Sequence, residues 1–359
     1  MDAGIEALVK ALRTGNLNEQ EEAQQALVQL GGEAVKPLIG LLSEYKTLDD
    51  VKLNTDPFYQ AQNTLVQIGE PAVEPLITVL QANDSPWGAR RAAVDALEQI
   101  GDVRAVQPLL EALRFDDISP ADISAGLLEM GEAAVDPLIF TLRNNENSEI
   151  RSQVTILLKD LHAPLAIPAL IEMLEREKDA TARNAMVYAL GEFRDARAIE
   201  PLIAIVSDTD PALREEAVRS LGQIGEEIES PRIIDALAAR LGDEDWGTWQ
   251  SAAEMLIRLN APQKAEAERA LITDLESENV EIQLGAAWSL VAVGDERALE
   301  PLVKLLYHPE ARIAAYAAQG LGNLGDQRAV IPLTVTLSHE DEEVSRAAKR
   351  ALARLEAED

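Results

Sequence analysis

The chain has 359 residues, 47% of them hydrophobic but only 4% aromatic, and 63 Asp and Glu against 32 Lys and Arg give a formal net charge of −31. Such a charge repels phosphate backbones and anionic bilayers, so it argues against nucleic-acid partners and membrane insertion and favours basic or neutral ones. With no cysteine, disulfides, thiolate metal sites and cysteine nucleophiles are excluded.

The first residues, Met1 to Gln20, lack a basic region followed by an apolar core, and no run reaches the ~18 apolar residues of a membrane span. A cytoplasmic location is therefore the default expectation. Ile5, Leu8, Val9 and Leu12 form a stripe at i, i+3, i+4 and i+7, the mark of one helix face. The stripe returns with a proline as Val35-Lys36-Pro37-Leu38-Ile39, Val73-Glu74-Pro75-Leu76-Ile77, Val106-Gln107-Pro108-Leu109-Leu110 and Val135-Asp136-Pro137-Leu138-Ile139. Ile167, Leu170, Ile171 and Leu174 carry it next, with the proline moved to Pro168. Ile199-Glu200-Pro201-Leu202-Ile203 restores it. Ile234, Leu237, Ala238 and Leu241 have lost the proline, as has the copy around Leu271, Ile272 and Leu275. Leu299-Glu300-Pro301-Leu302-Val303 and Val330-Ile331-Pro332-Leu333 are the last copies. Proline is expected in the first turn, where its missing N–H costs no bond. Successive copies are 29 to 38 residues apart, room for two helices and two short loops. The longest step contains Ser43 to Pro57, whose Tyr45, Lys46, Leu48, Val51 and Leu53 suggest a segment that packs back.

Between the stripes lie Ala-rich helices, such as Gly88 to Leu97 and Leu213 to Leu221. Gly31, Gly69, Gly101, Gly131, Gly225, Gly294 and Gly325 stand where these helices should stop, in the left-handed cap conformation that glycine adopts freely. Asn260 is the next-best residue for that job, while His162 and Arg194 hold equivalent places without the advantage. Ser119-Pro120-Ala121-Asp122 offers a cap, a first-turn proline and an early acid. Trp87, Trp246 and Trp249 open Ala-rich helices and should pack on the preceding turn; Trp288 should be buried. The segment 342–356, charged around a thin apolar seam, reads as a terminal capping helix of one array spanning 1–359.

The segments Gly101-Asp102-Val103-Arg104-Ala105-Val106-Gln107-Pro108-Leu109, Gly294 to Leu302 and Gly325 to Leu333 resemble HEAT repeats, specifically the PBS-lyase HEAT-like type. The resemblance covers essentially the whole chain. It implies an all-α, right-handed α-solenoid of about eleven two-helix repeats, with the V-x-P-L-I helices lining a concave groove and the Ala-rich helices outside. The groove would then present the residue before each proline and those three and six after it. The first set reads Glu74, Gln107, Asp136, Glu200, Asp235 and Glu300: an acidic ridge for a basic ligand, or simply acids compensating helix dipoles at ~0.3–1 kcal/mol each. The other two include Thr78, Glu111, Arg114, Phe140, Arg143, Glu172, Glu175, Lys304, Tyr307 and Val335, where Phe140 and Tyr307 are candidate partner anchors.

Catalytic chemistry has little to stand on. His162, His308 and His339 are the only histidines, and none has metal-ligand spacing. His308 and His339 belong to inter-helix turns. Gly320-Leu321-Gly322-Asn323-Leu324-Gly325 spells a nucleotide-binding pattern, but no strand precedes it. The expectation is a non-enzymatic scaffold or adaptor that holds a protein or extended peptide of basic or mixed charge, with no catalytic residue, metal or cofactor. The resemblance implies an alternative, a phycobilin lyase or other tetrapyrrole-handling protein. A HEAT-like DNA glycosylase would want a basic groove, which the charge opposes.

Overall fold

The computed structural model describes residues 2–47, 51, 56–241, 243, 245–259, 269, 271–292 and 294–357. Their regular structure is α-helix with short 3-10 turns and, among the described residues, no strand. The chain forms two compact units, Met1–Ala169 and Leu170–Asp359.

In the first unit each stripe helix pairs with the Ala-rich or polar helix that follows it. The pairs are Asp2–Thr14 with Leu17–Leu30, Gly32–Leu42 with Pro57–Ile68, Glu70–Gln81 with Trp87–Ile100, Val106–Ala112 with Pro120–Glu129 and Val135–Asn144 with Ser148–Asp160. First members stack on first members and second on second, giving two layers. In the second unit Ala180–Glu192, Pro211–Gly225, Trp246–Arg258, Val280–Ala292, Ala311–Leu324 and Glu342–Ala357 stack in one layer. Ile199–Ile205, Pro231–Ala238, Leu299–Leu305 and Val330–Thr336 pack beside them. The protein is thus the expected all-α solenoid of about eleven two-helix repeats.

The stripes make the core: Val73, Leu76, Ile77 and Leu80 are all buried, as are Ala92, Ala93 and Ala96 of the helix packed against theirs. Burial of each large side chain contributes about 1.5–3 kcal/mol. Glycine inside the second-layer helices has a role the sequence reading missed, since it lets neighbours approach closely. A Cβ on Gly322 would lie 2.7 Å from Ala351 Cα.

The repeat linkers explain where helices start. In Asp102-Val103-Arg104 the Asp carboxylate accepts the Arg104 backbone N–H at 3.0 Å and caps a 3-10 turn, so the α-helix begins afresh at Val106. Proline then falls in the first turn, as expected. Before Gly32–Leu42 and Glu70–Gln81 no aspartate caps a separate turn, and the helix starts several residues earlier. Pro37 and Pro75 therefore sit inside their helices, against the first-turn expectation, each leaving one backbone bond unmade.

Most helix-ending glycines have positive φ, Gly101 at 69° and Gly325 at 74° among them. His162 and Arg194 take the same region at 50° and 49°, a strained choice for residues with a Cβ. Gly225 departs from expectation. It is the last residue of a helix whose right-handed turn continues into Glu226, and its small size is required because a Cβ would meet Leu259 Cδ2 at 2.7 Å. Ser119 caps as expected, its Oγ accepting from Asp122 N at 3.4 Å. Asn260 lies outside the described residues.

The segment after Ser43 packs back at Tyr45, whose O–H donates to Asp56 at 2.7 Å and whose ring meets Phe58 edge-on at 5.2 Å. Leu48 and Leu53 lie outside the described residues. Trp87 stacks on Phe58 with centroids 6.0 Å apart, and Trp249 is buried near Trp288 and Tyr316. Trp288 is half-buried rather than buried, and its Nε1 donates to the Tyr316 carbonyl of the next helix in the layer at 3.2 Å. The side chain of Trp246 is outside the described set.

Candidate functional site

Because one face of each stripe helix is spent on the core, the opposite face is free for function. In the first unit it carries Glu74, Glu111, Asp136, Phe140 and Arg143; in the second it carries Glu200, Asp235 and Lys304, with Tyr307 in the turn that follows Leu299–Leu305. All are exposed except Glu111, which is half-buried and accepts from Gln107 Nε2 at 2.9 Å. Asp136, Phe140 and Arg143 share one helix face at i, i+4 and i+7. Phe140 is 57% exposed and Tyr307 60%, so neither packs under a neighbouring repeat.

The acids on this face are not equivalent. Asp136, Glu200 and Glu300 stand in first turns, where the helix dipole accounts for them. Glu74 and Asp235 are the fifth residues of their helices, too deep for that explanation. Two of the acids are already neutralised. Glu74 and Glu70 accept from Arg104 at 3.2 and 3.0 Å, and Glu200 accepts two bonds from Arg232 at 2.7 and 3.1 Å. Each arginine comes from the following repeat.

Arginine is the residue type whose role the sequence reading missed. In Asp-x-Arg linkers it folds back on the carboxylate of its own turn, as Arg197 does on Asp195 at 2.8 Å. These hydrogen bonds from arginine hold Asp195 down at about 2, and hold Asp102, Asp295 and Asp326 below the usual carboxylate range. Arg114, a groove candidate by pattern, instead donates to the Leu80 and Gln81 carbonyls at 2.7 and 3.2 Å and caps the previous repeat's helix. Arg214 is buried with Asp243 in a two-bond pair of 2.7 and 3.0 Å that ties one inter-helix turn to the next. The signal was visible as an Arg near the start of several Ala-rich helices, yet its partner is a repeat away in sequence.

A second titratable cluster lies on the Ala-rich layer of the first unit. Arg91 bridges Asp95 at 3.2 Å and Asp122 at 2.8 Å. Glu98 lies over Gly126, in space a Cβ there would take. Burial, with the nearby charges of Asp95 and Asp122, pushes Glu98 up to about 8.

A recess on the stripe-helix side of the first unit lies between Asp2–Thr14 and Gly32–Leu42, with a volume of about 860 Å³. It belongs to repeats without a nominated site residue. Among the described residues no group of three or more His, Asp or Glu is placed to hold a metal. His308 and His339 occupy turns as expected, their Nδ1 atoms accepting from Glu310 N and Asp341 N at 3.2 and 3.1 Å.

A family model described as HEAT repeats matches residues 59–125, 167–258, 234–315 and 299–359, more than half of the chain. The chain belongs to the HEAT-repeat family. The bilin biosynthesis protein PecE of Mastigocladus laminosus is similar to it, 27% identical over 157 residues, 43% of this chain and 55% of PecE. Human deoxyhypusine hydroxylase is 31% identical over 110 residues, 30% of this chain and 32% of the hydroxylase. The HEAT chain therefore spans about half and about a third of the lengths of these two relatives. Among solved structures, the karyopherin Kap121p bound to the extreme C-terminus of the phosphatase Cdc14p aligns with 97% of this chain and 45% of its own. Its TM-score is 0.54 at 12% identity, a likeness of fold alone. No helix among the described residues is long and apolar enough to cross a membrane.

Proposed function

We propose that this HEAT-repeat chain is a non-enzymatic scaffold that holds a protein or extended peptide of basic or mixed charge on the exposed face of its stripe helices. The observation that carries the reading is the exposure of Phe140 and Tyr307 beside charged neighbours, Asp136 and Arg143 in one case and Lys304 in the other. An aromatic side chain left in water by its own core is a ready anchor, and adjacent charges set the partner's approach. Asp136 and Asp235 supply the acidic part. Glu74 and Glu200 contribute less, since Arg104 and Arg232 already offset them.

The test is capture of a partner from the native cell by the full chain, followed by titration of that partner against two variants. Phe140→Ala should speed dissociation, and Asp136→Asn with Asp235→Asn should slow association and flatten its salt dependence. Unchanged rates in both variants would refute the reading. A second reading, a bilin-handling protein, is supported by the likeness to PecE. It requires the chain to retain a visible-light absorber when mixed with a bilin and passed over a sizing column.

A further inference from the structure

The stripe helix Val330–Thr336 differs from its fellows on the face turned away from the core. In the other copies that keep the V-x-P-L spacing, the residue before the proline is charged or polar: Lys36, Glu74, Gln107, Asp136, Glu200 and Glu300. Here it is Ile331, 77% exposed, and Val335, one turn on, is 56% exposed. A spacing of four puts the two on one side of the helix, which carries no charged side chain at all. The preceding stripe helix, Leu299–Leu305, holds Glu300 and Lys304 at the same two repeat positions. Arg328 donates to Glu296 at 2.9 Å and ties together the linkers from which the two helices start. Repeat equivalence then sets Glu300 level with Ile331, and Lys304 level with Val335. Both charges are exposed, and neither is ion-paired among the described residues, although they stand at i and i+4.

We propose that this face binds a second copy of the chain, in an isologous pair about a two-fold axis. The charge pattern selects the occupant. An axis that runs across the two helices, midway between the rows, reverses helix direction and keeps each helix opposite its own copy. Glu300 of one copy then meets Lys304 of the other, and Lys304 meets Glu300. The same rotation lays Ile331 on Val335 and Val335 on Ile331. One operation matches both charges and covers both apolar side chains, because the two helices hold their pairs at equivalent positions. An occupant that is only acidic, only basic or only apolar leaves at least one of these charges unmatched. Net charge narrows the place as well. Two chains of −31 repel each other, so contact needs a patch poor in carboxylates. These two helices carry one carboxylate, offset by one lysine. Such pairing rests on the scaffold reading in using the stripe-helix face, and it names the mixed-charge partner at Lys304 as the chain itself. Asp136 and Phe140 stay available to a different ligand.

The measurement is sedimentation velocity of the full chain over a concentration series at fixed salt. A reversible dimer is expected. Ile331→Glu, at an exposed position, should weaken it by about tenfold or more with an unchanged melting temperature. Glu300→Lys and Lys304→Glu should each weaken it too, since each sets like charges across the axis. An equimolar mixture of those two variants should restore association, because one now offers two lysines and the other two glutamates. A dimer indifferent to Ile331→Glu, or a mixture no tighter than its components, would overturn the proposal. So would a chain that stays monomeric at every concentration while Ile331→Glu releases a different captured protein. A monomeric chain whose captured partner is still released by Phe140→Ala would sink self-pairing and leave the scaffold reading standing. A dimer lost on Ile331→Glu in a chain that captures nothing at Phe140 would do the reverse.

Discussion

Removing the carboxylate of Asp243 is the sharpest probe of how the second unit holds its repeats in register. Arg214 and Asp243 side chains are 6% and 4% exposed, so water screens neither. The guanidinium donates to both carboxylate oxygens at 2.7 and 3.0 Å, and to the Asp208 carbonyl at 3.0 Å. Asp243→Ala removes both carboxylate bonds from that buried cation, and with them the contact to Arg240 at 3.5 Å. The expected cost is about 3–5 kcal/mol. The pair Arg232–Glu200 is the internal control. With the same 2.7 Å contact but side chains 61% and 65% exposed, Glu200→Gln should cost at most ~1 kcal/mol. The pair as a whole need not stabilise: Arg214→Met with Asp243→Leu should recover most of the single-variant loss, because an apolar pair avoids desolvating two charges. Hydrogen exchange in Pro211–Gly225 and Trp246–Arg258 is the assay, since repeat arrays often unfold in parts and a single melting temperature can hide a local loss. Protection lost equally in Asp243→Ala and Glu200→Gln would refute the argument that burial sets the energy.

Three further expectations follow from local geometry. Glu98 binds its proton more tightly folded than unfolded, at about 8 against an ordinary 4.5, so stability should be fullest below pH 4.5 and fall as pH rises toward and through 8. Partial exposure screens the effect to ~1–3 kcal/mol, and Glu98→Gln should flatten this part of a melting curve series against pH. Asp195, held at about 2, acts the other way and only below pH ~4. Gly101→Val should cost about 1–2 kcal/mol through its φ of 69°, whereas Gly225→Val should destabilise by collision with Leu259, so that Gly225→Ala relieves only part of the loss. His162→Gly should raise stability by up to ~1 kcal/mol, because a φ of 50° is free for glycine and strained for histidine; an unchanged melt would mean the His162 Nδ1 contact to the Asp160 carbonyl compensates.

The repeat fold was legible because its signals are local. Val73, Leu76, Ile77 and Leu80 announce one buried face by spacing alone, and Ser119 announces a helix start by chemistry alone. What escaped is what depends on a second repeat. Whether Gly225 ends a helix by conformation or permits Leu259 to approach cannot be read from Gly225 and its neighbours. Arg114 and Phe140 both looked like groove residues because both follow the stripe at the right interval. Only the Leu80 and Gln81 carbonyls, more than thirty residues earlier, make Arg114 a helix cap, while Phe140 is left in water. Glu74 and Glu200 read as ridge acids or helix-dipole compensators, never as ion-paired, for the same reason: their arginines lie a repeat downstream.

That inter-repeat pairing bears on what a chain of such negative charge can recognise. A row of unpaired carboxylates would attract any cation and discriminate poorly, because screened charge acts within ~10 Å and carries little geometric information. Pairing Glu74 with Arg104 and Glu200 with Arg232 removes much of that diffuse attraction and fixes neighbouring repeats to one another. Asp136, with no such partner among the described residues, acquires weight by contrast, on the same helix face as the exposed Phe140. In the scaffold reading proposed above, a ligand on that face must match sign and shape together. On the same reading, substituting Arg104 with Gln should strengthen binding of basic peptides, measured by titration, because it uncovers Glu70 and Glu74; unchanged affinity would show that the pairing plays no part in selecting a partner.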